Sequence, residues 1–254
     1  MLFRSLACER GKQSMRLHLY TVCWNCERLL PYFLRHYLPL CERLVFYDNL
    51  STDRTREIIR STNKAILVDF DTGGEIDESN YLRVKNHAYK ESRGIADYVV
   101  VADIDEFLYH PQLLEVLARY QDAGVTLPRV RGFNMVSLLH PSRAETLPVL
   151  VRRGRYSPMY SKRCVFAPDL DIHYLPGAHR CSPVGTVVES DDESLKLLHY
   201  QYMGLWHVLC RYRQYRRRLS EQNRRLPYAV QYKQGHAYTV LRFLKNWMLA
   251  NRVV

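Results

Sequence analysis

The chain reads as an α/β protein built on a mostly parallel sheet with helices on both faces. Three observations predict this. Apolar, β-rich runs alternate with segments of helical spacing, four runs and three spacers, over about 90 residues starting at residue 17. The last run, "ADYVVVAD" (96–103), is continuously apolar, as expected of a strand covered on both faces. Polar residues gather just past the ends of these runs, where open parallel sheets place their ligands.

The elements follow in order. Residues 17–22, "LHLYTV", form the first strand. "NCERLLPYFLRHYLP" then carries Leu30, Phe33, Leu34, Tyr37 and Leu38 at helical spacing, with Pro31 early enough to sit in the first turn. "RLVFY" (43–47) is the second strand, and "DNLSTD" turns the chain, with Ser51 or Thr52 expected to cap a helix through Ile58 and Ile59. "AILVDF" (65–70) is the third strand, and Tyr81, Val84, Ala88 and Glu91 mark a helix over 79–92. In the second half, "GVTLPRVRGFNMVS" and "KRCVFAP" read as strands, in part antiparallel. The spacing predicts a long helix from about 202 to 223. A final amphipathic helix would place Val240, Phe243, Leu244, Trp247 and Met248 on one face. The expected organisation is a disordered leader over 1–15 (or a start at Met15), one domain over 16–225 with halves at 16–110 and 111–200, and a helical extension over 226–254.

Composition narrows the class. Hydrophobic content of 47% can fill a core, and charged content of 25% argues against disorder. No window approaches the ~18–20 apolar residues of a spanning helix, and Arg4 and Glu9 break any secretory signal. The seven cysteines are odd in number, and Cys23-x-x-Cys26 has no matching second pair, so reduced thiols in a cytoplasmic protein are expected. A net charge of +11 favours polyanionic partners: nucleic acid, an anionic membrane face or phosphorylated substrates.

The acidic clusters run against that charge. Asn25, the turn Asp48-Asn49-x-Ser51-x-Asp53, Asp69–Asp71 and Asp103–Asp105 all fall just beyond strand ends, so four strands point polar residues at one rim. Carboxylates at i and i+2 on an extended segment share a side, so Asp103 and Asp105 can approach one hard cation, with phosphate oxygens and water completing its shell. Glu106 would point the other way and support the site, Phe107 would be core, and Trp24 would stack on a base or pack inside.

"TVCWNCERLLPYFLRHYLPLCERLVFYDNLSTDRTREII" and "RVKNHAYKESRGIADYVVVADIDEFLYHP" resemble the opening segments of family 2 glycosyltransferases. "KRCVFAP", "PGAHR" and "LLHYQY" resemble later landmarks of their D-x-D-E-F subgroup, which is related to family 92. The resemblance covers about residues 16–225. It implies a GT-A fold, a Rossmann-like nucleotide half joined to a mixed acceptor half, and transfer from a nucleoside diphosphate sugar, UDP-linked by preference, to a glycan or lipid-linked acceptor, with inversion. It further implies donor contacts at Asn25, Asp48, Asn49, Asp53, Lys85 and Asp103, with Asp48 on the base. Mn²⁺ or Mg²⁺ would be held by Asp103, Asp105 and His199. The acidic pair that usually supplies the acceptor-side base has no clear equivalent. His179 is the first candidate, since a neutral imidazole accepts a proton near pH 7, and Asp171 the alternative.

A haloacid dehalogenase-like phosphohydrolase also places D-x-D after a strand, but it wants Thr or Val where Phe107 stands. A basic nucleic-acid-binding protein is a further reading, but the acidic rim would repel phosphates, so no nucleic acid partner is expected. Seven arginines over 204–225 (211, 213, 216, 217, 218, 224 and 225) and the tail helix with Phe243 and Trp247 suit peripheral attachment to an anionic membrane from the cytoplasmic side.

Overall fold

The computed structural model describes residues 15–142, 144–225 and 230–254, so the expected leader, apart from Met15, lies outside the described residues. In chain order the elements are β1 (Leu17–Cys23), α1 (Leu30–Tyr37), β2 (Arg43–Asp48), α2 (Thr55–Arg60), β3 (Ala65–Asp69), α3 (Glu78–His87) and β4 (Tyr98–Val101). There follow β5 (Glu106–Tyr109), α4 (Leu113–Asp122), β6 (Val130–Ser137), α5 (Leu147–Leu150), β7 (Arg153–Tyr156), β8 (Val165–Phe166), β9 (Asp171–Tyr174) and β10 (Cys181–Val184). The chain closes with β11 (Leu195–Met203), α6 (Leu205–Arg218), α7 (Glu221–Arg225), α8 (Val230–Lys233), α9 (His236–Met248) and β12 (Asn251–Arg252). The fold is the expected mixed α/β architecture, with parallel strands flanked by helices.

The first sheet runs β3-β2-β1-β4-β8, parallel except for the last strand. Its four-residue strand β4, "YVVV", is buried throughout because helices and loops cover both faces. The register sets Cys23 beside Asp48 and Asp48 beside Asp69, so three strands end level. Tyr20 pairs with Val101, which carries β1 level with the acidic turn three residues later. α1 begins with Pro31 in its first turn and buries Phe33 against Phe46 and Phe107. Asp77 caps α3 by accepting from the backbone N–H groups of Ser79 and Asn80.

The second sheet runs β12-β7-β6-β11-β5. β4 belongs to one sheet and β5 to the other, so the acidic turn between them sits at the seam. Gly132 on β6 has no room for a side chain: a Cβ would fall 2.0 Å from the Tyr160 carbonyl carbon. Among the described residues no helix is long and apolar enough to cross a membrane.

Four expectations are corrected or refined. Neither Ser51 nor Thr52 caps α2; the Asp53 carboxylate accepts the Thr55 N–H, while the Ser51 side chain and N–H both turn to Asp48. The long helix is instead a strand through Met203, a helix to Arg218 and a break. The break arises because Ile76 takes over the backbone there, donating to the Arg218 carbonyl and accepting from Ser220 N–H at 3.3 Å. In α9 the apolar face is only partly covered: Phe243 is fully buried while Leu244 and Met248 at its edge are exposed. The C-terminal segment does not hang off as an extension, because β12 pairs with β7 and Phe243 packs with Val136 and Tyr202.

Candidate functional site

A cavity of about 460 Å³ opens where the carboxyl end of β1, the acidic turn, β11 and α6 meet. Its floor is the turn Asp103–Glu106. The segment is not extended: Glu106 N–H donates to the Asp103 carbonyl, and the Glu106 carboxylate folds back to accept the Asp103 N–H at 3.0 Å. The shared orientation expected for an extended i, i+2 pair therefore does not apply, yet Asp103 and Asp105 both line the cavity.

Lysines hold the first aspartate. Lys85 Nζ lies 2.6 Å from Asp103 Oδ1 and Lys162 Nζ 3.4 Å from Oδ2, while Lys162 also pairs with buried Glu106. Burial alone would raise the Asp103 carboxyl, but the two ammonium groups outweigh it and keep the carboxyl well below the usual range. Burial likewise opposes the charge on Lys162, and Glu106 with Asp103 outweighs it, so Lys162 stays protonated.

His199 faces the second aspartate, with Nε2 3.3 Å from Asp105 Oδ2. The antiparallel β5/β11 register sets His199 opposite Glu106, and the parallel β6/β11 register sets it beside Asn134. Its Nδ1 lies 3.2 Å from Asn134 Oδ1. That contact leaves Nε2 facing the Asp105 carboxylate, so the two groups stand where they could share a cation. Burial and the neighbouring Asp103 raise the Asp105 carboxyl, and His199, with Lys162, outweighs them and brings it below its ordinary value. Among the described residues no three His, Cys, Asp or Glu side chains converge as a ligand set. Of the three residues that the resemblance implies, Asp105 and His199 face each other, while Asp103 lines the same cavity paired with Lys85 and Lys162.

His179 lines the cavity beside the Tyr160 ring, 5.2 Å between centroids, and its buried Nδ1 has no hydrogen-bond partner. Burial, then the charge of Lys162, pushes its pKa down to about 4, so the imidazole is neutral near pH 7. Asp171, the alternative base, is not in the cavity: on β9 it pairs with Lys90 and Arg93 at 2.5 and 2.8 Å, and both pairings hold it on the outer surface.

The other rim residues act differently from expectation. Asp48 is fully buried and does not line the cavity. Its carboxylate is spent on Ser51 N–H (2.9 Å) and Arg56 (2.8 Å), and Arg56 bridges on to Asp69. Asn49 donates to Thr72 and Tyr81, Asp53 accepts from Glu27 and Thr55 N–H, and Asn25 accepts from Thr52 N–H. These four residues lace the loops behind the site together and do not line the cavity. Only Lys85 and Asp103 of the expected donor set reach the cavity.

Sequence reasoning missed the opposite wall. Val208, Arg211, Tyr215 and Arg218 line the cavity from one face of α6, and the spacing of seven between the arginines was the available signal. Arg211 is anchored by the carbonyls of Trp24 and Asn25. The Arg218 guanidinium lies 3.6 Å over the Trp24 ring and donates through Nε to the Gly74 carbonyl. Its two terminal nitrogens are buried with no partner, and burial lowers its pKa. Lys162 was also missed as a site residue; its "KRCVFAP" segment was visible only as a strand.

No family model and no curated protein matches the chain. Among solved structures it is similar to TarS of S. aureus, at 12% identity over 73% of this chain and 37% of that one, with a TM-score of 0.46. A TarS fragment, residues 1–349, matches at 12% identity over 74% of this chain and 61% of the fragment, TM-score 0.46. The same fragment in complex with UDP matches at 14% identity over 91% of this chain and 71% of the fragment, again with a TM-score of 0.46. The chain thus spans well under two thirds of full TarS.

Proposed function

We propose that the chain is a GT-A-type glycosyltransferase moving a sugar from a nucleoside diphosphate sugar, UDP-linked by preference, to a hydroxyl of a glycan or lipid-linked acceptor. The observation that carries the reading is Arg218. A buried guanidinium whose terminal nitrogens lack partners is costly unless an anion completes it, and a diphosphate offers the matching fork of oxygens. Arg211 on the same helix face adds a second fixed cation. Trp24 and Tyr81, lining the same cavity, offer flat surfaces for a base.

The chemistry assigned to the residues is simple. The acceptor oxygen forms a bond to the anomeric carbon as the bond to the diphosphate breaks, through an oxocarbenium-like state, so a single displacement inverts configuration. The hydroxyl proton passes to a neutral base, for which His179 is the candidate in the cavity. Arg211 and Arg218 hold the leaving diphosphate, and Lys85 and Lys162 keep Asp103 ionised and fixed. A bound Mn²⁺ or Mg²⁺, for which Asp105 and His199 supply donors, would add Lewis-acid stabilisation of the leaving group.

The test is calorimetric binding of a panel of nucleoside diphosphate sugars, with and without Mn²⁺. Arg218→Gln should weaken binding about 10–150-fold, the equivalent of a lost charge-assisted hydrogen bond. Asp105→Asn should remove any Mn²⁺ dependence. Asp171→Asn, outside the cavity, should bind as wild type does. The reading fails if wild type binds no such donor, or if Arg218→Gln binds it unchanged.

A further inference from the structure

We propose that the outer face of α9, with the adjoining edge formed by β7 and β12, docks on the surface of an anionic lipid bilayer. The first observation is compositional. Residues 146–168 carry five Lys or Arg and residues 222–254 carry six, and neither segment contains one Asp or Glu. The fold packs these segments together, through the β7/β12 pair and the contacts of α9 with β6 and β7.

The second observation is a like-charge pair in the sheet. The antiparallel register sets Arg252 directly opposite Arg153, an arrangement that destabilises a sheet unless something anionic lies over it. Arg155, two residues along β7, falls on the same face as Arg153. Arg155 pairs with Asn134, whose face of β6 also carries Val136, and Val136 packs with Phe243 of α9. The arginines therefore lie on the α9 side of the sheet. All three are exposed, as is Lys245 of α9, and none has a carboxylate partner among the described residues. The hydrogen bonds of Arg153 and Arg252 go to the carbonyls of Ala250 and Val254.

The third observation is apolar. α9 buries Thr239, Phe243 and Asn246 and turns Leu241 (68% exposed), Leu244 (38%) and Met248 (67%) to solvent at i, i+3 and i+7. A 13-residue helix lying on the body with an aliphatic stripe outward, rimmed by unpaired cations, has the form of an interfacial helix. A second copy of the chain would bring two basic faces together. A nucleic acid would use the arginines and leave the stripe in water. A bilayer with anionic headgroups satisfies both features.

The basic segment of α6 and α7 is less free than its sequence suggests. Arg211, Arg216 and Arg218 of α6 and Arg224 of α7 are drawn to backbone carbonyls within the fold, Arg225 pairs with Glu221, and Arg213 and Arg217 remain exposed. α9 also supplies Arg242 to the cavity, so docking would bring the cavity close to the headgroups.

The proposal goes beyond the transferase reading and is tested without any sugar donor. Flotation of the full chain with phosphatidylglycerol-containing vesicles should recover it in the lipid fraction, and recovery should fall as salt rises. Neutral phosphatidylcholine vesicles should leave it behind. The double variant Arg153→Gln/Arg252→Gln should partition about 30-fold more weakly, at about five-fold per arginine. A second double variant, Leu241→Gln/Met248→Gln, should lose at least about ten-fold through its lost apolar contact. All four side chains are exposed, so the fold should persist in both variants. The proposal is overturned by absence of wild-type flotation, by equal binding to neutral vesicles, or by either variant behaving as wild type. Dimerisation or duplex DNA binding through this face, in place of vesicle binding, would also overturn it.

Discussion

Replacing Lys162 by methionine should destabilise the protein more than any surface substitution. Lys162 is 4% exposed and Glu106 1% exposed, and they are ion-paired at the seam of the two sheets. Methionine keeps most of the volume and removes only the charge. Glu106 would keep one hydrogen bond, from the Asp103 N–H, but would lose its cation at a position 1% exposed. Breaking a buried pair from one side costs about 3–5 kcal/mol, because the remaining charge is uncompensated. For a chain of this size each kcal/mol lowers Tm by about 2–4 °C, so a fall of about 6–20 °C is expected. The same loss should appear as a lower midpoint in urea with an unchanged slope. The decisive measurement is the second variant, Lys162→Met/Glu106→Gln. A carboxamide oxygen can still accept the Asp103 N–H and carries no charge, so the double variant should recover at least about 2 kcal/mol over the single one. The reasoning is refuted if Lys162→Met costs under about 1 kcal/mol, or if the double variant is no more stable than the single.

Two further outcomes follow from packing and burial. His36 donates through Nε2 to the Leu108 carbonyl, and burial pushes its pKa down to about 4, below the ~6.5 of an unfolded chain. Between those values the unfolded state binds the extra proton, so stability rises with pH across the window, is complete above it and is lost as pH falls toward 4. The change is about 3 kcal/mol, and urea titrations from pH 7 to 4.5 should show a shallower slope for His36→Gln than for wild type; parallel slopes would count against it. Gly132→Ala should cost about 3 kcal/mol or more, since its Cβ would meet the Tyr160 backbone carbonyl at 2.0 Å. It should also weaken donor binding, because the displaced Tyr160 ring packs 4.1 Å from His199; unchanged stability would show that the segment moves freely.

The N-terminal half was readable from the chain because its signals are local. β1, α1, β2, β3 and β4 lie within a residue or two of the predicted segments, since alternation and continuous apolar runs set both strand position and burial. What local pattern could not supply is pairing at a distance. β5 joins β11, about 90 residues later, and that pairing places His199 beside the acidic turn. The polar cluster at Asn25, Asp48, Asn49 and Asp53 was visible, but not the partners that hold it. Residue type shows that a carboxylate stands near a strand end, not whether Arg56 and Ser51 have already claimed it. The arginines of α6 were misassigned in the opposite sense. Five arginines in α6 and two in α7 read as an outward-facing basic surface, and only the Ile76 contact that breaks the helix after Arg218 shows that one face of α6 is turned inward.

That arrangement explains why a basic chain ends its most apolar strand in acid. Asp103 and Glu106 do not offer free negative charge to solvent, because Lys85 and Lys162 neutralise them within the fold. The pairing fixes the turn and leaves Asp105, with His199, as the carboxylate available to a cation. The unmatched charge of the cavity then lies on the other wall, where Arg218 has donors without acceptors. An acidic floor satisfied from below and a basic wall left unsatisfied make a cavity that attracts an anion to one side and orients it over the other. Removing Lys162 should therefore change donor affinity as well as stability, by leaving Asp103 and Glu106 with Lys85 as the one remaining cation of the pair. Removing Asp171, whose partners lie outside the cavity, should change neither beyond about 1 kcal/mol.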